Sequence, residues 1–163
     1  RSTLFPYTTL FRSSTELDGR PIRVSKRAGT LSGPFFCAAE AYAICLKPEN
    51  RAIGAIELKL NGRTNAVKSE DECELGYWIG KPFWGRGLVP EAAREILRHA
   101  FEDLGMNKVW CGYFEGNAKS KRVQEKVGFR YQYTLENADV PLLNEKRTDY
   151  VSCLTKEEWP GYK

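Results

Sequence analysis

The chain has 163 residues, of which 42% are hydrophobic and 28% charged, and it carries a net charge of +4. That length and balance suit one domain with its own core and exclude general disorder. No run approaches the roughly 18 apolar residues of a spanning helix, and no secretory leader pattern is visible, so a cytoplasmic protein without membrane partners is expected.

Residues 1–40 hold Pro6, Gly19, Pro21, Gly29, Gly33 and Pro34 with no sustained helical or alternating period. Within them the stretch LFPYTTLFRS reads like translated adapter sequence. The expectation is an atypical, non-native or disordered leader over 1–40, followed by a domain over 41–163. From Tyr42 to Leu60 two apolar runs flank a polar turn of Lys47, Pro48, Glu49 and Asn50, which predicts a hairpin. Asn61 to Glu72 is polar and reads as a loop. Cys73, Leu75, Tyr77 and Ile79 then alternate with Glu74, Gly76 and Trp78, the period of a third strand.

After Lys81 and Pro82, the spacing of Ala93, Ile96, Leu97, Ala100, Phe101 and Leu104 predicts a helix with Pro90 at its first position and Gly105 beyond its end. Val109 to Phe114 follows as a strand. Ala118 to Val127 reads as a short helix capped by Asn117 and closed by Gly128, and Phe129–Thr134 and Tyr150–Leu154 as the last strands. Strands interleaved with two helices define an α/β (α+β) fold with a mixed sheet.

Cys37, Cys45, Cys73, Cys111 and Cys153 are odd in number and include no Cys-x-x-Cys pair, so they read as small buried hydrophobes. With His99 as the single histidine, no metal site is expected. Lys119, Lys121, Arg122 and Lys126 make a local basic patch, opposed by Glu70, Asp71, Glu72 and Glu74 elsewhere. The patch lacks the interleaved aromatics of an RNA-stacking platform, and no nucleic-acid partner is expected.

A strand ending near Gly80, the loop WGRGLV and a helix at Pro90 together make a pyrophosphate-binding arrangement. Glycines admit close backbone approach, and free amides at the helix start face the anion. It is neither a Walker A loop nor a dinucleotide fingerprint, since it lacks the Gly-Lys-Ser/Thr of the first and the third glycine of the second.

LGYWIGKPFWGRGLVPEA, followed about 30 residues later by NAKSKRVQEKVGF, resembles the GNAT superfamily of N-acetyltransferases, in particular its RimJ/RimL-type branch. The resemblance covers roughly Ala43 to Trp159. It implies a mostly antiparallel twisted sheet with a splayed central strand pair, and acetyl-CoA as cosubstrate. The strand around Trp78, Ile79 and Gly80 would then hold the pantetheine arm. Trp84, Gly85, Arg86, Gly87, Leu88 and Val89 would hold the pyrophosphate, with Asn117, Lys119 and Arg122 adding contacts from the second block. The general-acid tyrosine of many GNAT enzymes is replaced here by Gln124. In the RimJ/RimL-type branch, Ser120 stands at the place of the proton donor to the leaving thiolate.

An amine must be neutral to attack a thioester, so a carboxylate at or near the splayed strand can take its proton, directly or through water. Glu74 is the candidate, with Glu72 behind it, and Asn117 and Ser120 complete the catalytic set. The cysteines lack a histidine partner, which argues against a covalent acetyl-enzyme. Direct transfer of acetyl to a primary amine is expected, either a protein N-terminus or a small amine, from a monomer or dimer. The alternative is a catalytically incomplete CoA-binding domain, a truncated product or a sensor.

Overall fold

The computed structural model describes residues 7–8, 21–27, 40–47, 49, 51–60, 64, 66–140 and 143–161. Among them eight strands form one sheet: β1 (Tyr7–Thr8), β2 (Ile22–Arg27), β3 (Glu40–Leu46), β4 (Arg51–Leu60), β5 (Glu72–Ile79), β6 (Lys108–Phe114), β7 (Arg130–Val140) and β8 (Glu145–Thr155). Their order is β1-β2-β3-β4-β5-β6-β8-β7, and every neighbouring pair is antiparallel except β5 and β6. Helix α1 (Leu88–Arg98) makes the crossover that lets β5 and β6 run parallel, and α2 (Ala118–Val127) follows β6.

The main core lies between the sheet and the helices. Ile96, Leu97, Ala100 and Phe101 bury one stripe of the α1 region against Ile44, Ile56, Leu58, Leu75 and Val109. A smaller cluster of Ala66, Val67, Trp110, Val151 and Cys153 covers part of the opposite face. The hairpin predicted over Tyr42–Leu60 is β3 and β4, and the α2 limits coincide with those expected, including Gly128 at φ +100° beyond its end.

Three expectations are corrected. Ile22–Arg27 lies inside the presumed leader yet pairs with β3 and buries Ile22 and Val24, a segment whose alternation is too short to stand out. The rest of that leader lies outside the described residues apart from Tyr7–Thr8, Pro21 and Glu40. Helix α1 starts at Leu88, so Pro90 takes its third position, where a missing N–H costs nothing because first-turn amides have no intrahelical partner. The segment then continues as a π-helical turn over His99–Asp103, closed by Leu104 N–H to His99 O at 3.0 Å. Finally, β7 and β8 are 11 residues each, longer than expected. Register shifts at Tyr131/Tyr133 and Leu135/Ala138 break the alternation of β7, and the added residues of β8, Glu145 to Asp149, are all polar and carry no apolar alternation.

β5 is paired with β4 along its length, from Leu60↔Cys73 to Gly54↔Ile79. It meets β6 only at Glu72↔Lys108, Cys73↔Val109 and Glu74↔Trp110. Beyond Glu74 the two strands part, and β6 stays with β8 as far as Phe114↔Asp149. The first half of α2 sits at the resulting fork. Buried Gln124 donates from Nε2 to the Gly112 carbonyl at 3.1 Å. A buried carbonyl without a partner costs about 1–3 kcal/mol, so this contact offsets part of the cost of opening the sheet.

Candidate active site

The loop beside the fork is shaped by its backbone. Lys81–Phe83 form a single 3-10 turn, with Trp84 N–H bonding Lys81 O at 3.1 Å. Gly85 and Gly87 follow at φ +74° and +76°, a region that L side chains rarely enter, and no neighbouring atom lies within 4 Å of where a Cβ would stand at either. Gly87 is the N-cap of α1 and no side chain caps the helix, so its first amides face outward at the positive end of the helix dipole. Arg86 is exposed, 5.9 Å from the Phe83 ring centroid.

The two sequence blocks meet through Trp84. Its indole N–H donates to Ile79 O at 2.9 Å, and Lys119 Nζ stands 3.5 Å from its ring centroid. Ile79, Trp84 and Lys119 therefore link the end of β5, the loop and the start of α2. Leu88 and Val89 are buried and anchor the helix start. Arg122 is exposed on α2.

Ser120 lies at the fork. Its Oγ is 2.8 Å from the hydroxyl of Tyr77, which also donates to Ser120 O at 3.2 Å. Burial pushes the Tyr77 phenol well above its ordinary range, so it stays protonated and able to donate. Asn117 caps α2, its Oδ1 accepting from Ser120 N–H at 3.2 Å, which fixes the turn that presents the serine. Gln124 Oε1 is buried with no hydrogen-bond partner, an acceptor that a ligand amide would satisfy.

Not all the sequence-predicted residues converge. Trp78 points to the face away from α1 and α2 and is 57% exposed, while its carbonyl lies against Gly54 of β4. Gly80 N–H is taken by Ile53 O at 2.9 Å. Main-chain direction alternates along a strand, so Tyr77 shares the side of Ile79, whose carbonyl meets Trp84 at the fork. Glu72 is committed elsewhere, accepting from Trp110 Nε1 at 2.9 Å and Lys68 N–H at 3.2 Å and pairing with Lys108 at 3.3 Å. Burial alone would raise its pKa, but these contacts hold it below the ordinary value, so it serves the scaffold. Glu74 lies where the strands part and pairs with Lys59 at 3.3 Å.

Two residues at the fork escaped the sequence reading. Tyr77 was visible only as one apolar position in an alternating strand. Asp149 lies on β8, its carboxylate over Gly112: a Cβ on that glycine would be 2.8 Å from both Asp149 oxygens. The described cysteines Cys45, Cys73, Cys111 and Cys153 are buried and free, and burial pushes Cys73 up to about 12 and Cys153 to about 11, which suits inert packing. His99 is bonded to Tyr42, Glu40 and Asp103, away from the fork. Among the described residues no three metal-ligating side chains stand together, and no helix is long and apolar enough to cross a membrane.

A fork between parallel strands with a glycine loop and uncapped helix at its mouth is the architecture of an acetyltransferase, and comparison with known proteins agrees. The family model for the acetyltransferase (GNAT) domain matches residues 23–130, and the chain belongs to that family. It is 38% identical over 93 residues to YdaF of Bacillus subtilis (strain 168), named as a candidate ribosomal N-acetyltransferase; the match takes in 56% of this chain and 50% of that protein. It is 29% identical over 101 residues to the [ribosomal protein uS5]-alanine N-acetyltransferase of Escherichia coli (strain K12), covering 60% of this chain and 51% of the relative. The chain thus spans about half the length of these relatives. Mycobacterium smegmatis RimJ, solved in complex with CoA-disulfide, superposes with a TM-score of 0.60 at 20% identity, over 74% of this chain and 56% of that one.

Proposed function

We propose that the chain transfers acetyl from acetyl-CoA to a primary amine, directly and within a ternary complex. The observation that carries this reading is the fork: it opens between β5 and β6 immediately beside the loop whose glycines and helix amides suit a pyrophosphate. Trp84–Val89 would hold the phosphates, and the open edge of β5 at Tyr77 and Ile79 would meet the pantetheine amides, with the unpartnered Gln124 Oε1 as a further acceptor. Bound there, acetyl-CoA supplies an activated acyl group and a thiolate that needs one proton on departure.

Ser120 is the donor of that proton in this reading, with Asn117 fixing its turn and the Tyr77 hydroxyl in line behind it. Glu74, at the point where the two strands part, would turn an acidic group toward the acceptor amine. The likeness to an enzyme named for the alanine of a ribosomal protein supports a protein N-terminus as acceptor, and a cytoplasmic location belongs to the same reading. The domain in this reading includes the strand over Ile22–Arg27, with any foreign portion lying before it.

The test is a thermal-shift titration with acetyl-CoA and CoA, followed by thiol release with alanine- and serine-terminated peptides and polyamines. A saturable shift and release with at least one amine are expected. A shift without release from any amine would favour a CoA-binding domain without transfer, and no shift would sink the cofactor assignment.

A further inference from the structure

We propose that Asp149 takes the proton from the acceptor amine, acting from the sheet face opposite α1 and α2; this rests on the transfer reading above. The register puts Glu57 and Lys59 of β4, Glu74 and Gly76 of β5, and Gly112 of β6 on that one face. The two rims of the fork carry glycines with neighbouring side chains laid over them: at Gly76 a Cβ would come within 3.2 Å of Glu57 Oε1. At Gly112 the space is taken by the Asp149 carboxylate itself, which therefore lies on the β6 rim, beside the opening through which an acetyl group held on the helix side would be reached.

Glu74, the base expected from sequence, is paired with Lys59, whereas the Asp149 carboxylate has neither a hydrogen bond nor an ion pair among the described residues. A half-buried carboxylate left without a partner is costly unless something else meets it. The groups that face it are Glu74 of β5 and Lys59 of β4, with Cys111 of β6 and Tyr133 of β7 also within its field. Arg147, two residues away on β8, is engaged by Glu145 at 2.6 Å. Burial first, and then the charge of Glu74, push the Asp149 carboxyl up to about 6, with Lys59 opposing. A base of that strength is still ionised at neutral pH and takes protons better than an ordinary carboxylate.

The step balances without a further reactant. The ammonium gives one proton to Asp149, and the freed lone pair attacks the thioester carbonyl carbon. The C–N bond forms and the C–S bond breaks. The sulfur takes a proton from Ser120, which the second proton lost by the nitrogen replaces, and Asp149 returns its own to solvent.

The test uses the full chain and whichever amine of the panel gives the fastest thiol release. For the native chain, kcat should show an acid limb with an apparent pKa near 6. Asp149→Asn should lower kcat about 100-fold at pH 7 and abolish the limb, so that rate follows the ionisation of the amine alone, while the melting shift with acetyl-CoA is kept. Gly112→Ala is the second variant: it displaces the carboxylate without removing it and should lower kcat about tenfold or more, again with the acetyl-CoA shift intact. Asp149→Asn within twofold of native kcat and with the limb retained would overturn the assignment of Asp149 alone. A native chain that binds acetyl-CoA yet acetylates no amine would overturn the transfer reading and this one together.

Discussion

The two faces of the fork between β5 and β6 are built in opposite ways. On the helix side, the groups that meet come from two contiguous stretches, Tyr77 to Val89 and Asn117 to Gln124, and their geometry is mostly main chain: two left-handed glycines, an uncapped helix start and an open strand edge. On the opposite side, Glu57, Glu74 and Asp149 arrive from three different strands and act through side chains, while Gly112 of a fourth strand leaves the room that Asp149 fills. A site made of backbone conformation can be carried by a short motif. One made of carboxylates on separate strands exists only once the register is set.

The largest expected effect breaks the helix side. Gly87→Asp forces a side chain into φ +76°, costing about 1–2 kcal/mol, and places a carboxylate where the pyrophosphate would sit. Acetyl-CoA affinity should fall about 100-fold by calorimetry, since the substituent competes for the same amides as the ligand. Unchanged affinity would show that this loop is not the cofactor site.

A smaller loss is expected from the pair at the apex. Ser120→Ala should lower kcat about tenfold, more than it lowers acetyl-CoA affinity, and Tyr77→Phe should lower it by about half that on a logarithmic scale. If the phenol acts through the serine, the double variant should be no slower than Ser120→Ala. Additive losses would assign Tyr77 an independent role.

This contrast also explains how far the chain was legible before its structure. The α2 limits, the β3–β4 hairpin, and Gly85 and Gly87 were all readable, because caps, turns and glycine conformation are local. Pro90 misled by two residues, since proline is tolerated anywhere in a first helical turn and so marks a start only loosely. Glu72 and Glu74 are indistinguishable in sequence. The structure separates them: Glu72 is consumed by Trp110 and Lys108, and Glu74 lies at the point where the strands part. Asp149 sits in the polar first half of β8, and nothing nearby in the chain announces that it lies over Gly112.

On the opposite face the comparison can be sharpened without any substrate. Native Asp149 holds its proton up to about pH 6, while an unfolded aspartate releases it near 4. Between those values the folded state binds more protons, so this group's contribution to stability declines as pH rises through the window, and its cost is fully present above it. Asp149→Asn removes that cost. Denaturant unfolding should find the variant more stable at pH 7.5 by on the order of 1 kcal/mol, after allowance for partial solvent exposure, with little gain at pH 4. A variant that gained nothing at either pH would mean that Asp149 is not held at a cost on this face. A gain accompanied by lost turnover would mark a group kept for chemistry against stability.

The smallest effect concerns the seam between the two sequence blocks. Lys119 stands over Trp84, which in turn bonds Ile79, so the start of α2 is held to the loop by one exposed cation–π contact worth about 0.5–1 kcal/mol. Lys119→Ala should therefore weaken acetyl-CoA binding about two- to fivefold, and Lys119→Arg should restore most of it, because a guanidinium stacks on the same ring. Salt separates two origins of that loss. If the ammonium stays on the ring when the cosubstrate binds, the deficit is nearly constant with ionic strength. If it leaves Trp84 for a phosphate, the deficit grows as salt is lowered, because the lost attraction is then an unscreened charge pair. A melting midpoint that drops while affinity and its salt dependence stay unchanged would reduce the contact to a structural tie between the two blocks.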